Sequence, residues 1–155
     1  MSEESESDRQ ITVIAVDDDA AIRSFLPRVF AHLGFSSSVV ESGADAITLM
    51  GERTFDIALL DFKMPKMNGL ELSHWIIEHH PNTAIIIMTG HASDAVLEEA
   101  LEIGVFQCIR KPLPDLDMLG AVMKAAVLSK QSNLGVGPAT CREALGDARD
   151  WGHRG

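Results

Sequence analysis

Five polar side chains of complementary chemistry sit where apolar runs end, at points far apart in the chain. Asp17 and Asp18 follow Ile11–Val16, Asp61 follows Ile57–Leu60, Thr89 closes Ala84–Thr89, and Lys111 follows Val105–Arg110. A short apolar run bounded by turn residues reads as a buried strand, and open α/β sheets bind ligands at the carboxyl ends of their strands. Folding then gathers these residues on one rim. Three close carboxylates repel strongly where the dielectric is low. Such a cluster holds a proton, with coupled titration, or binds a cation. Oxygen ligands with room for water suit Mg2+, or Mn2+ in its place. Lys111 offers a point positive charge and Thr89 a hydroxyl donor, both suited to an oxyanion. A dication, an ammonium and a hydroxyl around one carboxylate form a phosphoryl-transfer site, where positioning and charge neutralisation supply most of the catalysis. Asp61 is the expected nucleophile, forming an acyl phosphate.

The elements that must hold these residues alternate along the chain. Apolar runs predict strands over Ile11–Val16, Phe35–Val40, Phe55–Asp61, Ala84–Thr89 and Val105–Arg110. Between them, apolar residues recur at helical spacing. Ile22, Phe25, Leu26, Val29, Phe30 and Leu33 mark a first helix, capped by Asp19 and ended by Gly34. Pro27 inside it predicts a kink or a shifted start. Ser42 caps a second helix, and Asn68-Gly69 opens a third that stops before Pro81. Ser93 caps a fourth, ended by Gly104, and Leu116, Leu119, Met123 and Val127 mark a fifth. Five strands alternating with five helices imply a doubly wound parallel sheet covered on both faces, with right-handed crossovers. Residues 1–10 read as a disordered acidic N-terminus and 11–130 as one domain. Residues 131–155 read as a flexible tail or linker stump, with a short helix expected over Ala139–Ala148.

Composition excludes several function classes. The chain has 155 residues, 46% of them hydrophobic, which suits one packed domain rather than disorder. A net charge of -10 argues against a nucleic-acid surface and favours cations or basic partners. Cys108 and Cys141 lie far apart with no metal or redox spacing, which points to a reducing compartment. With no signal peptide and no apolar run long enough to cross a bilayer, a cytoplasmic location is expected.

The motifs Val16-Asp17-Asp18-Asp19, Leu60-Asp61-Phe62-Lys63-Met64-Pro65, Met67-Asn68-Gly69-Leu70, Met88-Thr89-Gly90-His91 and Lys111-Pro112 occur in this order at strand ends. Together they resemble the receiver domain of two-component response regulators, over about Ile11 to Ser129. The resemblance implies a flavodoxin-like receiver fold with strand order 2-1-3-4-5. It implies Asp61 as phosphoacceptor, Asp18 as a direct magnesium ligand, Asp17 as its neighbour, and the backbone carbonyl of Lys63 as a third protein ligand. Thr89 and Lys111 correspond to the hydroxyl and ammonium that contact the phosphoryl group, and Pro112 to a cis-proline. Lys63 and His91 fall where side chains tune phosphoryl lifetime, so slow autodephosphorylation is expected. Receivers usually carry an aromatic residue three positions before the lysine. Here that switch position is Cys108, too small to fill the same volume.

The implied function is a phosphorylation-controlled switch rather than an enzyme acting on other substrates. A sensor histidine kinase or histidine phosphotransfer protein donates to Asp61, and the face of helix four, strand five and helix five meets a downstream protein. Neither nucleic acid nor membrane is expected as a partner of this chain. Two other classes fit less well. A Mg-dependent phosphatase with an aspartyl nucleophile carries a second acid two residues later, where this chain has Lys63. A flavin binder needs a hydroxyl- and glycine-rich loop after strand one, where this chain has three acids.

Overall fold

The computed structural model describes residues 9–90 and 93–131; the short helix expected over Ala139–Ala148 lies outside the described residues. Strands and helices alternate without exception: β1 (Thr12–Val16), α1 (Ala20–His32), β2 (Ser36–Val40), α2 (Gly43–Met50), β3 (Ile57–Asp61), α3 (Gly69–His79), β4 (Ala84–Thr89), α4 (Asp94–Ile103), β5 (Gln107–Arg110) and α5 (Leu116–Gln131). The strands form one parallel sheet in the order β2-β1-β3-β4-β5. Parallel neighbours require a crossover, and a helix supplies it each time.

Side-chain parity divides the core in two. Val13, Ala15, Ile57, Leu59, Ala84, Ile86 and Met88 pack against Leu26 and Phe30 of α1 and Leu119 and Met123 of α5. Ile14, Val16, Ala58, Leu60, Ile85 and Ile87 pack against Ala46 of α2, Leu72 and Ile76 of α3, and Ala100 of α4. Strands β1, β3 and β4 are therefore buried on both faces, which is why they read as near-continuous apolar runs, whereas the edge strand β2 is partly exposed. Because the side-chain period is two, Asp17 and Asp61 continue the series that faces α1 and α5. Thr89 continues the series that faces α4.

The expected caps form. Asp19 accepts from Ala21 N–H, Ser42 from Asp45 N–H and Ser93 from Val96 N–H, while Asn68 and Glu71 make a reciprocal capping box. Gly34 (φ 85) and Gly104 (φ 122) take the left-handed turns that follow α1 and α4. Pro27 lies inside α1 without moving its start, which stays at the Asp19 cap. Four strands begin later than their apolar runs. Phe35 N–H donates to Phe30 O at 2.8 Å and Val105 N–H to Ala100 O at 3.0 Å, so these backbones still close the preceding helix although their side chains are buried. Arg9 and Gln10, expected in the disordered lead, are held in place. Arg9 forks onto Asp56 at 2.9 and 3.0 Å, and Gln10 Nε2 donates to Gly34 O at 3.2 Å.

The loop leaving β3 is closed by glycine. Gly69 N–H donates to Phe62 O at 2.8 Å, which returns the chain to the tip of β3 as α3 begins. A Cβ at Gly69 would stand 2.7 Å from Asp61 O and 3.0 Å from Phe62 Cα, both backbone atoms that cannot swing away. Gly69→Ala is therefore expected to lower stability by about 1–3 kcal/mol through overpacking. Urea denaturation checks this, and an unchanged midpoint would show that the loop gives way freely.

Candidate functional site

Neighbouring parallel strands in register bring the acids together. Val16 pairs with Leu60, so Asp17 and Asp61 stand side by side one step further along. Asp17, Asp18 and Asp61 each offer a carboxylate oxygen within 4.8 Å of the others. Asp17 is fully buried, Asp61 is 5% exposed, and Asp18 is exposed. Lys111 enters from β5: its Nζ lies 3.2 Å from Asp61 Oδ1 and 3.4 Å from Asp17 Oδ2. One ammonium thus bridges the two buried carboxylates.

Asp17 is fixed from every side. Its N–H donates to Val40 O at 3.2 Å, its Oδ1 accepts from Asp19 N–H at 2.9 Å, and its carbonyl accepts from Arg23 Nη1 at 3.1 Å. The charge balance at the centre is unfavourable to ionisation. Burial first, and the Asp17 charge next, push the Asp61 carboxyl up from 3.8 to about 6; Lys111 opposes them and Asp18 adds to them. Burial works to lower the Lys111 pKa, but Asp61 and Asp17 outweigh it and hold the ammonium above its ordinary 10.5.

Thr89 reaches the same rim by register, since Asp61 pairs with Met88 of β4. It is buried, and its carbonyl accepts from Lys111 N–H at 2.8 Å. The Lys111–Pro112 peptide is cis. Lys63 is exposed in the loop after Asp61. His91 lies outside the described residues. Cys108 is half-buried, opposite Ile87 and packed against the α4-facing core. Burial pushes its thiol up to about 12, against the pull of Arg110, so it stays an apolar thiol rather than a nucleophile.

The donor set fits a hard dication. Three carboxylates converge, and no soft ligand stands among them. Two interactions were missed by sequence reasoning. Arg23, on the first turn of α1, spans Asp17 O and Glu41 Oε1, the latter at 3.6 Å. Its place four residues after the Asp19 cap was the available signal. Arg110 lies 4.0 Å from Asp94, joining the end of β5 to the start of α4, and no sequence spacing announces it.

Comparison with known proteins agrees with this geometry. The response regulator receiver domain family matches residues 13–123. The DNA-binding transcriptional regulator NtrC of Escherichia coli K12 is 36% identical over 115 residues, which is 74% of this chain and 24% of that protein. The chain thus spans about a quarter of that relative's length. The solution structure of the apo receiver domain of NtrC is 34% identical with a TM-score of 0.69, covering 78% of this chain and 97% of that one. For the fold alone, a signal receiver domain of an HD domain-containing protein from Pseudomonas fluorescens Pf-5 superposes with a TM-score of 0.75 at 22% identity, covering 81% of this chain and all of that one. Register, acid cluster and bridging lysine meet a family match that spans most of the sequence, and this chain belongs to the response regulator receiver domain family.

Proposed function

We propose that the protein is a phosphorylation-controlled switch in which Asp61 accepts a phosphoryl group from a histidine kinase or histidine phosphotransfer protein. The observation that carries this is the Lys111 ammonium bridging Asp61 and Asp17 inside a three-carboxylate cluster. Asp17, Asp18, Asp61 and the Lys63 carbonyl are the residues to hold Mg2+, with Mn2+ as a substitute. When bound, the dication neutralises the clustered carboxylates and the charge that develops on the phosphoryl oxygens. An Asp61 carboxylate oxygen attacks phosphorus; the new P–O bond forms as the P–N bond to the donor imidazole breaks, and the imidazole leaves with the electron pair. Lys111 Nζ donates to a phosphoryl oxygen, and Thr89, at the neighbouring strand tip, supplies a hydroxyl to another.

The output face is α4, β5 and α5. Thr89 faces the α4 side of the sheet, so a pull on its hydroxyl acts on that side and biases a two-state equilibrium there. Cys108 lacks the volume for an aromatic rotamer switch. The net charge of -10 supports a protein rather than a nucleic-acid partner for this domain. Among the described residues no helix is long and apolar enough to cross a membrane, which is consistent with a cytoplasmic site of action. We take residues 11–130 as the receiver unit and 131–155 as its tail or linker. The phosphatase alternative is disfavoured because the residue two places after Asp61 is Lys63, not an acid.

Three outcomes are expected. Incubation with acetyl phosphate and Mg2+, followed by intact-mass measurement, should give one phosphoryl adduct that Asp61→Asn abolishes; an adduct that survives this substitution places the acceptor elsewhere. The Lys63→Ala, His91→Ala double variant should lose its adduct faster than the wild type, and an unchanged half-life removes both side chains from that role. The third outcome concerns pH. The Asp61 carboxyl binds its proton more tightly folded than unfolded, so its ionisation costs stability as pH rises from about 4 to about 6, and the full cost stands above that. In EDTA, Asp61→Asn should therefore stabilise the protein at pH 7.5 by about 1–3 kcal/mol, with the gain shrinking toward zero near pH 4. Urea denaturation at both pH values reads this, and a variant equally destabilised at both contradicts it.

A further inference from the structure

We propose that Arg23 is a positioning residue that, through the Asp17 carbonyl, holds the turn carrying Asp17 in the arrangement a small dication requires, and so sets the site's preference for Mg2+ over Ca2+. The inference rests on the metal-assisted reading above and assigns a role to a side chain outside the acid cluster.

The β1–α1 segment carries two of the three carboxylates, and their mutual repulsion with Asp61 drives it outward. Arg23 opposes that drift. Its backbone N–H donates to Asp19 O at 3.0 Å, which roots it in the first turn of α1. Its side chain then turns back over the loop, where Nη1 donates to Asp17 O at 3.1 Å and Nη2 lies 3.6 Å from Glu41 Oε1. The guanidinium thus ties helix α1, the carbonyl of a buried acid and the segment after β2 in one fork. Arg23 is 26% exposed and Glu41 65%, so the buried end of the fork, the bond to the Asp17 carbonyl, carries the brace and Glu41 only orients it. A rigid planar guanidinium holds two partners at fixed separation, which an ammonium does not.

Two physical effects of Arg23 on a bound cation have opposite signs. As a positive charge near the cluster, it repels a dication, and its removal should tighten binding. As a brace, it preorganises the ligands, and its removal should weaken binding. Groups that orient metal ligands without touching the metal typically change affinity by about 10–100-fold when removed. Mg2+ demands near-ideal octahedral geometry, whereas Ca2+ accepts a looser and larger shell. A loosened loop therefore loses Mg2+ more than Ca2+, and a charge effect or general destabilisation has no reason to separate them.

The test is calorimetric titration of MgCl2 and of CaCl2 into the wild type, Arg23→Ala and Arg23→Lys at one pH and ionic strength. Arg23→Ala is expected to weaken Mg2+ by about tenfold and Ca2+ by no more than about twofold. Arg23→Lys keeps the charge and one donor for the Asp17 carbonyl but cannot reach Glu41 as well, so a smaller loss, again confined to Mg2+, is expected. It carries the same comparison if Arg23→Ala does not fold. Tighter or unchanged Mg2+ binding in the variants, or equal loss of both cations, overturns the inference. A wild type that binds neither cation overturns the metal-assisted reading as well, and that result is visible before any variant is titrated.

Discussion

The constraint on which this structure turns is the repulsion among Asp17, Asp18 and Asp61. Unit charges 4.8 Å apart repel by about 3 kcal/mol at an effective dielectric near 20. No isolated loop would hold three of them there. Asp17 and Asp61 are held because the bodies of the strands that deliver them cannot move, while Asp18 lies in the turn beyond β1. Val13 to Val16 and Ile57 to Leu60 are buried without remainder, and a one-residue slip would turn each series to the wrong face. Apolar burial along the strand bodies thus sets the register, and the register imposes the electrostatics at the tips. Burial first, and the Asp17 charge next, still outweigh Lys111 at Asp61, whose ionisation stays disfavoured. The site keeps a residual need for positive charge, which is the physical basis for binding a dication.

Parity also puts Asp61 and Thr89 on opposite faces of the sheet. Asp17 and Asp61 lie on the α1 and α5 side, whereas Thr89 and Cys108 lie on the α4 side. Under the proposed switch, a charge change at Asp61 has to be relayed across the sheet. Two connections at the rim do this. Lys111 contacts Asp61 through its ammonium and the Thr89 carbonyl through its N–H, so one residue touches both sides. The Thr89 backbone is held by that bond and by its place in the β4–β5 ladder.

Much of this was readable from the chain because the same residues carry local and global signals. Asp19, Ser42, Asn68 and Ser93 were identified as helix starts from residue type and position, and each caps its helix. The convergence of Asp17, Asp61 and Lys111 followed from strand ends alone, since every parallel strand points its carboxyl end the same way. Strand starts were less readable. Phe35 and Val105 are buried apolar residues, and hydropathy does not tell a ladder residue from one whose N–H still closes the preceding helix. Arg23 and Arg110 escaped for another reason. Their partners, the Asp17 carbonyl with Glu41 and Asp94, are brought near by packing, and a charged residue on an amphipathic helix or at a strand end has no periodicity that names its partner.

Cys108 fixes where the link between Thr89 and α4 must run. A rotating aromatic side chain needs a pocket that it fills in one state and leaves in the other, and a thiol has too little volume to block or vacate such a space. It also carries no charge to respond with, because its proton is held far above neutral pH. Under the proposed switch, the described contact left to couple the strand tips to α4 is the ion pair of Arg110 with Asp94 at 4.0 Å. Arg110 sits opposite Thr89 in the ladder and Asp94 opens α4, so this pair joins the strand tip beside Thr89 to the start of that helix. With partners 37% and 60% exposed, such a pair contributes about 1 kcal/mol or less, and it breaks and re-forms easily. A weak tie of that kind suits a two-state element. In the proposed switch it would bias the resting position of α4 without locking it, whereas a tight buried pair would leave the helix insensitive to a phosphoryl group.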